Sequence, residues 1–356
     1  MSTEVSTGAG GLRQPALGIV ATLFLLILSF AVIKLSGNIF ATWIAFLFMC
    51  CVPTQMLMAL AWHTDLPKFA AGLTQPVKGL VFLLMTLVAG AIVAALAVAV
   101  IGKGHTPPTP PLIMFIIFSV VCTFWVMALW RLYPFTLIFK NPMVAGIVGL
   151  VTAYVVAWVL FVSLFNFSFL AGAPVYIAEQ DPGGAFMAWD VLTFAVTTVA
   201  AIMMCTLFDF WPVTALNKSG NPLLHGLLGS LYVLIIAAAV KCFCTYILGM
   251  DQVVYMVTVP ISFIFAVFVI NVLLESSLFA DVAQPSRGFL SLGGAVILTI
   301  VCKQVYMAAA PLLSGDMPAG PPTYALDLWI ADALLAITFP LIVAFCDYFN
   351  FWPFRR

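Results

Sequence analysis

The chain has 356 residues, 64% of them hydrophobic and 7% charged, with a mean hydropathy of +1.19 and a formal net charge of zero. That much apolar side chain exceeds what a soluble fold of this length can bury, and the balanced charge gives a nucleic-acid partner nothing to hold. The composition is that of an all-α integral membrane protein whose first partner is the lipid bilayer.

Residues 1–13 are small and polar and read as a disordered cytoplasmic arm. No basic start and no cleavage site precede the first apolar run, which therefore reads as a retained span and not a signal peptide. Ten apolar runs follow, at about 16–36, 39–62, 77–101, 112–133, 143–169, 186–211, 222–248, 252–276, 288–313 and 326–352. Each is long enough to cross a hydrocarbon core of about 30 Å. They are continuously apolar, without two-residue alternation, so they are helices and not barrel strands.

Five of the runs open on one signature: an amide residue, a proline, and a glycine three or four positions later. The copies are Gln14-Pro15 with Gly18, Gln75-Pro76 with Gly79, Asn141-Pro142 with Gly146, Asn221-Pro222 with Gly226, and Gln284-Pro285 with Gly288. Proline lacks a backbone donor and suits the first turn of a helix, where that donor has no partner. The prolines recur about every two crossings, so residues 14–356 read as one domain of five parallel helical hairpins, at about 14–67, 75–134, 141–212, 221–281 and 284–353.

A second repeat closes the even-numbered runs. Trp62…Pro67, Trp130…Pro134, Phe208-Asp209-Phe210-Trp211-Pro212 and Phe349-Asn350-Phe351-Trp352-Pro353 place aromatic rings and a proline at the helix ends. Interfacial anchoring with a helix stop accounts for them. The fourth copy, near Phe279, has no tryptophan.

Charge asymmetry sets an expected orientation. Arg13, Lys68, Lys78, Arg131, Lys140, Lys218, Arg287, Arg355 and Arg356 fall on one side, whereas the other connections carry Lys103 with Glu179, Asp181, Asp251, Asp316 and Asp327. Basic residues are retained in the cytoplasm, so both termini are expected inside, in a bacterial cytoplasmic (inner) membrane. The connections at 103–111, 172–184 and 314–323 are long and rich in Pro and Gly, and read either as linkers or as a partly ordered cap.

The two helix classes differ in texture. Odd helices carry more small residues, such as Gly90, Ala94 and Ala97, or Gly288, Gly293 and Gly294. Even helices are heavier, with Phe115, Phe118, Phe124 and Trp125 in the fourth. Small residues permit close helix contact in lipid, which predicts odd helices inside and even helices as an outer ring.

Ionisable residues within spans are the functional candidates. Lys241 and Lys303 each lie 15 residues after their signature glycine, and Lys34 lies 16 after Gly18. Asp190 and Asp332 fall at similar height, which predicts Asp190–Lys241 and Lys303–Asp332 pairs. These groups either select ions, tie helices together, or snorkel to the interface. The three histidines lie at helix ends or in loops, the eight cysteines are scattered, and no catalytic, metal or cofactor constellation emerges, so no enzyme activity and no cofactor are expected.

Ten spans as five parallel hairpins, opened by Pro15, Pro76, Pro142, Pro222 and Pro285, resemble the tellurite-resistance/dicarboxylate transporter family, which includes plant slow anion channels. The resemblance covers the whole chain as architecture and implies a central pore surrounded by the odd helices. Two functions follow as expectations. One is a channel or transporter for a small anion or weak acid through the odd-helix bundle. The other is a non-transporting membrane subunit or scaffold, as a homo-oligomer or within a complex.

Overall fold

A computed structural model of the protein describes residues 11–355, and these are predominantly helical. The arm expected at 1–13 lies outside the described residues except for its last three. Of those, Leu12 is ordered, its amide donating to the Phe354 carbonyl at 3.1 Å.

Among the described residues, nine helical stretches are long and apolar enough to cross a bilayer. The first, Ala16–Ala61, runs without a loop and contains α1 (Ala16–Ser36) and α2 (residues 40–61). Gly37, at φ 51°, and one tight turn, Gly37–Ile39, redirect the chain between them. Only glycine adopts that backbone at no steric cost. The others are α3 (Val77–Val100), α4 (Pro110–Leu129), α5 (Pro142–Leu164), α6 (Ala188–Leu207), α7 (Pro222–Ile247), α8 (Gln252–Leu273), α9 (Ser286–Ser314) and α10 (Ala325–Tyr348).

The even helices close a ring. α2 packs on α4, α4 on α6, α6 on α8, α8 on α10, and α10 returns to α2. Each odd helix lies outside, on the even helix that precedes it, and reaches the even helix before that. Thus α3 lies on α2 and α10, α5 on α4 and α2, α7 on α6 and α4, and α9 on α8 and α6; α1 completes the circle on α10 and α8.

This inverts the expected rings. In α4, α6, α8 and α10, 67–72% of the apolar segment is buried, against 17–28% in α3, α5, α7 and α9. Phe118 and Phe124, expected to meet lipid, are buried, whereas Leu84, Ile92 and Ile297 on odd helices are exposed. The small residues of an odd helix form one narrow stripe. In α3 the buried positions are Gly79, Phe82, Thr86, Gly90, Ala94 and Ala97, spaced three or four apart, so all fall on one face. That stripe seats an outer helix on an inner one and leaves its remaining surface to lipid. The inner helices carry what lipid would penalise: the in-helix prolines Pro53, Pro260 and Pro340, and buried Thr54, Gln55, Thr123, Thr197, Ser262 and Thr338.

The two sequence signatures meet in space. Each signature glycine packs against the residue that ends an even helix three helices earlier in the circle. Gly146 meets Trp62, Gly226 meets Trp130, Gly288 meets Phe208, Gly79 meets Phe349 and Gly18 meets Leu274. After each of those residues the chain takes two left-handed positions, His63-Thr64, Arg131-Leu132, Asp209-Phe210, Glu275-Ser276 and Asn350-Phe351, all with φ between 47° and 60°. The signature amides complete the contact. Gln14 Nε2 donates to the Leu273 carbonyl (2.9 Å), Gln75 Nε2 to Tyr348 (2.7 Å) and Gln284 Nε2 to Leu207 (3.0 Å). Asn141 and Asn221 instead accept from amides of their own helices, as N-caps do. At these two seams a tryptophan bridges: Trp62 Nε1 donates to the Pro142 carbonyl (3.3 Å) and Trp130 Nε1 to Ser230 Oγ (3.1 Å).

Candidate functional site

The predicted lysines lie on outer helices, and packing on the preceding even helix decides their partners. Lys241 on α7 lies against α6, where its Nζ is 3.3 Å from Asp190 Oδ1 and donates to the Asp190 carbonyl at 2.9 Å. Gln252 Nε2 donates to the same Asp190 oxygen at 2.6 Å. The expected Asp190–Lys241 pair therefore forms. Lys303 on α9 lies against α8, so its Nζ donates to Thr258 Oγ1 (2.7 Å). The expected Lys303–Asp332 pair does not form: α9 also meets α10, through Tyr306 and Thr338, but Lys303 stands on the α8 side of the helix. Lys34 Nζ donates to the Leu312 and Leu313 carbonyls (3.1 and 3.3 Å) at the C-terminal end of α9, where a cation satisfies carbonyls without helical partners.

None of the three lysines lines the ring axis. There, Met49 and Val52 of α2, Val121 and Phe124 of α4, Val196 of α6, Ile264 of α8 and Phe339 of α10 enclose an entirely apolar cavity of about 40 Å³. Every inner helix contributes to it. The Phe339 ring lies 4.6 Å from Phe268 and 6.4 Å from Phe124, centroid to centroid, so aromatic rings fill the space beside it. Met49 and Ile117 also line a second cavity of about 20 Å³, into which Asp332 projects. Asp332 has no ion-pair or hydrogen-bond partner among the described residues. A carboxylate beside an apolar cavity is costly, which makes Asp332 the one predicted site residue that the ring presents near its axis.

At the end of the ring where the odd helices begin, a polar pocket of about 540 Å³ takes Asp347 and Asn350 from the α10 end, Asn271 and Glu275 from the α8 end, and Gln75 and Lys78 from the start of α3. Glu275 is met by Gln14 Nε2 (3.1 Å) and Arg355 (2.5 Å). Both Asp347 and Glu275 lie at helix ends, Asp347 in the last turn of α10 and Glu275 just past α8. The left-handed turns place residues 275 and 350 equivalently, so the fourth copy of the end-of-helix motif, expected near Phe279, in fact ends its helix at Leu274.

Elsewhere several buried hydroxyls of the inner helices are paired, although Gln55 Oε1 on α2 has no partner among the described residues. Tyr255 meets Thr197 (2.8 Å), Tyr306 meets Thr338 (2.5 Å) and Tyr348 meets Thr86 (2.8 Å), each bridging two helices. Buried hydroxyl pairs of this kind stitch membrane helices together. Among the described residues no cluster of three or more His, Cys, Asp or Glu could hold a metal. Comparison with family models, with curated proteins and with solved structures gives no match.

Proposed function

We propose that the chain is a membrane channel or transporter whose solute path runs along the axis of the even-helix ring, and that the structure is its closed state. The observation that carries this reading is the axial cavity, the place where side chains from α2, α4, α6, α8 and α10 converge. Aromatic rings close it, and polar residues stand on either side: Asp332 toward one end, and Asp347, Asn271 and Asn350 toward the other. Hydrophobic constrictions of this kind gate by excluding water.

On this reading the chain crosses the bilayer ten times. The run Ala16–Ala61 has 46 residues, about 69 Å at 1.5 Å per residue, over twice the roughly 30 Å core, so α1 and α2 are two crossings. Five parallel repeats follow, with both termini cytoplasmic by the basic-residue bias. The likeness to the tellurite-resistance/dicarboxylate transporter family is then one of ring architecture, with the opposite set of helices facing the axis. An unpaired carboxylate beside the path repels a permanent anion. Of the two expected solutes a weak acid crossing in its neutral form fits better than an anion.

The test is uptake of acetate into proteoliposomes, followed by an internal pH dye. Phe339→Ala should raise uptake severalfold and Lys241→Gln should leave it unchanged. Acetate uptake equal to that of empty liposomes in the wild type, Phe339→Ala and Phe124→Ala alike would leave the non-transporting subunit, a reading that the filled axis favours.

A further inference from the structure

The five seams between signature glycine and even-helix end are alike in backbone, so their side chains can be compared place by place. At the seam between α6 and α9, the first left-handed residue is Asp209, the residue before the glycine is Arg287, and the two form an ion pair. At the α8 end Glu275 occupies the Asp209 place and is met by Arg355, as is Asn350 at the α10 end (3.3 Å). At the seam between α4 and α7 the corresponding residues are Arg131 and His225. Here two basic side chains stand where the other seam has an acid and a base, and no carboxylate pairs with Arg131 among the described residues.

The space between them is a pocket of about 260 Å³, against about 30 Å³ for one water. Among its lining residues, Arg131, His225, Tyr133, Thr136 and Thr214 carry groups able to donate, whereas the Asn217 amide is already bonded to the Asn221 carbonyl. His225 is 93% buried, since its relative exposure is 7%, and its Nε2 has no hydrogen-bond partner. Arg131 and His225 flank one Phe210 ring, each 5.3 Å from its centroid, which holds both basic groups at the same wall. Trp130 and Tyr133 place the pocket at headgroup level.

We propose that this pocket binds a phosphate-type anion, which takes the place that Asp209 fills at the neighbouring seam. Arg131 supplies the charge and a forked donor, and the buried imidazole of His225 with the Thr136 and Thr214 hydroxyls supplies further hydrogen bonds. The anion comes either from a lipid headgroup or from free phosphate, and one experiment separates the sources.

The full chain, purified in dodecyl maltoside, is titrated with dioleoyl phosphatidylglycerol, with dioleoyl phosphatidylcholine, and with sodium phosphate against sodium chloride at equal ionic strength. The thermal unfolding midpoint is the readout. Stabilisation by phosphatidylglycerol beyond phosphatidylcholine assigns the site to a lipid; stabilisation by phosphate beyond chloride assigns it to the free ion. In either case Arg131→Asn and His225→Gln should each raise the half-saturating concentration about tenfold or more, the loss of one charge-assisted hydrogen bond. Lys140→Gln, a change outside the pocket, should not. Asn already occupies the equivalent turn at position 350, so Arg131→Asn keeps a backbone that the fold accepts. No stabilisation by either source, or stabilisation that Arg131→Asn leaves intact, overturns the proposal. The outcome is independent of whether acetate crosses the membrane.

Discussion

A Cβ built on Gly226 lies 2.6 Å from Cε3 of Trp130, inside the contact distance of any two carbon atoms. The outer helix α7 can approach the end of α4 only because that hydrogen replaces a methyl. The same holds at Gly18, Gly79, Gly146 and Gly288, each against the corresponding residue of another helix end. Gly226→Ala and Gly146→Ala should each destabilise the protein by about 1–3 kcal/mol or more, by overpacking at a rigid ring. Gly293, whose Cβ would meet nothing within 4 Å, should accept alanine with no loss and a gain of up to about 1 kcal/mol from helix propensity. Thermal unfolding in detergent would show the two groups apart; equal midpoints for all three variants would contradict the seams.

The inverted rings make a second prediction. Phe118 of α4 is 5% exposed and lies against Phe165 at 5.1 Å, whereas Leu84 of α3 is 62% exposed. Phe118→Ala should cost about 3–5 kcal/mol through the cavity that it leaves. Leu84→Ala should cost less than about 1 kcal/mol, because lipid refills the space. Folded yield and unfolding midpoint in one detergent give the comparison, and a larger loss at Leu84 would restore the odd helices to the inside.

Membrane class and the positions of the long apolar helices were legible because composition and proline-glycine punctuation act locally. The choice of inner ring was not. Counting small residues on an odd helix gives the same total whether they line one face or surround the helix, and only the spacing in Gly79, Phe82, Thr86, Gly90, Ala94 and Ala97 shows a single stripe. A better signal was on the other class: Pro53, Pro260, Pro340 and Thr197 are costly against lipid and fall on even helices, whereas Pro311, the in-helix proline of α9, lies in that helix's last turn. Asp190–Lys241 was legible and Lys303–Thr258 was not, because an odd helix packs chiefly on the even helix before its own hairpin, and sequence adjacency favours both neighbours equally.

Tyr324, which precedes α10, donates to Asp251 Oδ2 at 2.9 Å and ties the α9–α10 connection to the start of α8. Partial burial and then the Asp251 carboxylate raise its pKa above the usual tyrosine value. A folded-state pKa above the unfolded one means that the tie contributes fully below the ordinary tyrosine range and is lost as pH rises through the shifted value. Tyr324→Phe should lower the unfolding midpoint near pH 8 and cease to matter at pH well above that range. A difference between wild type and variant that stays constant with pH would show that the hydroxyl–carboxylate contact contributes nothing.

The lysines test which neighbour each outer helix uses. Asp190 holds Lys241 and Gln252 together, with side-chain exposures of 13% for Lys241 and 41% for Asp190. Solvent screening at the half-exposed carboxylate limits the pair, so Asp190→Ala should cost about 1 kcal/mol. Lys303 has a hydroxyl and no carboxylate, so its charge is available for a partner supplied on α8. Thr258→Asp should therefore be tolerated beside Lys303, with its effect reversed in the Lys303→Gln background, where the new carboxylate is left without a cation. Asp332→Asn should be indifferent to which residue stands at 303. The readout is a double-mutant cycle of unfolding midpoints for each pair. A coupling between 303 and 332 larger than that between 303 and 258 would turn the Lys303 face of α9 from α8 toward α10, against the observed contact.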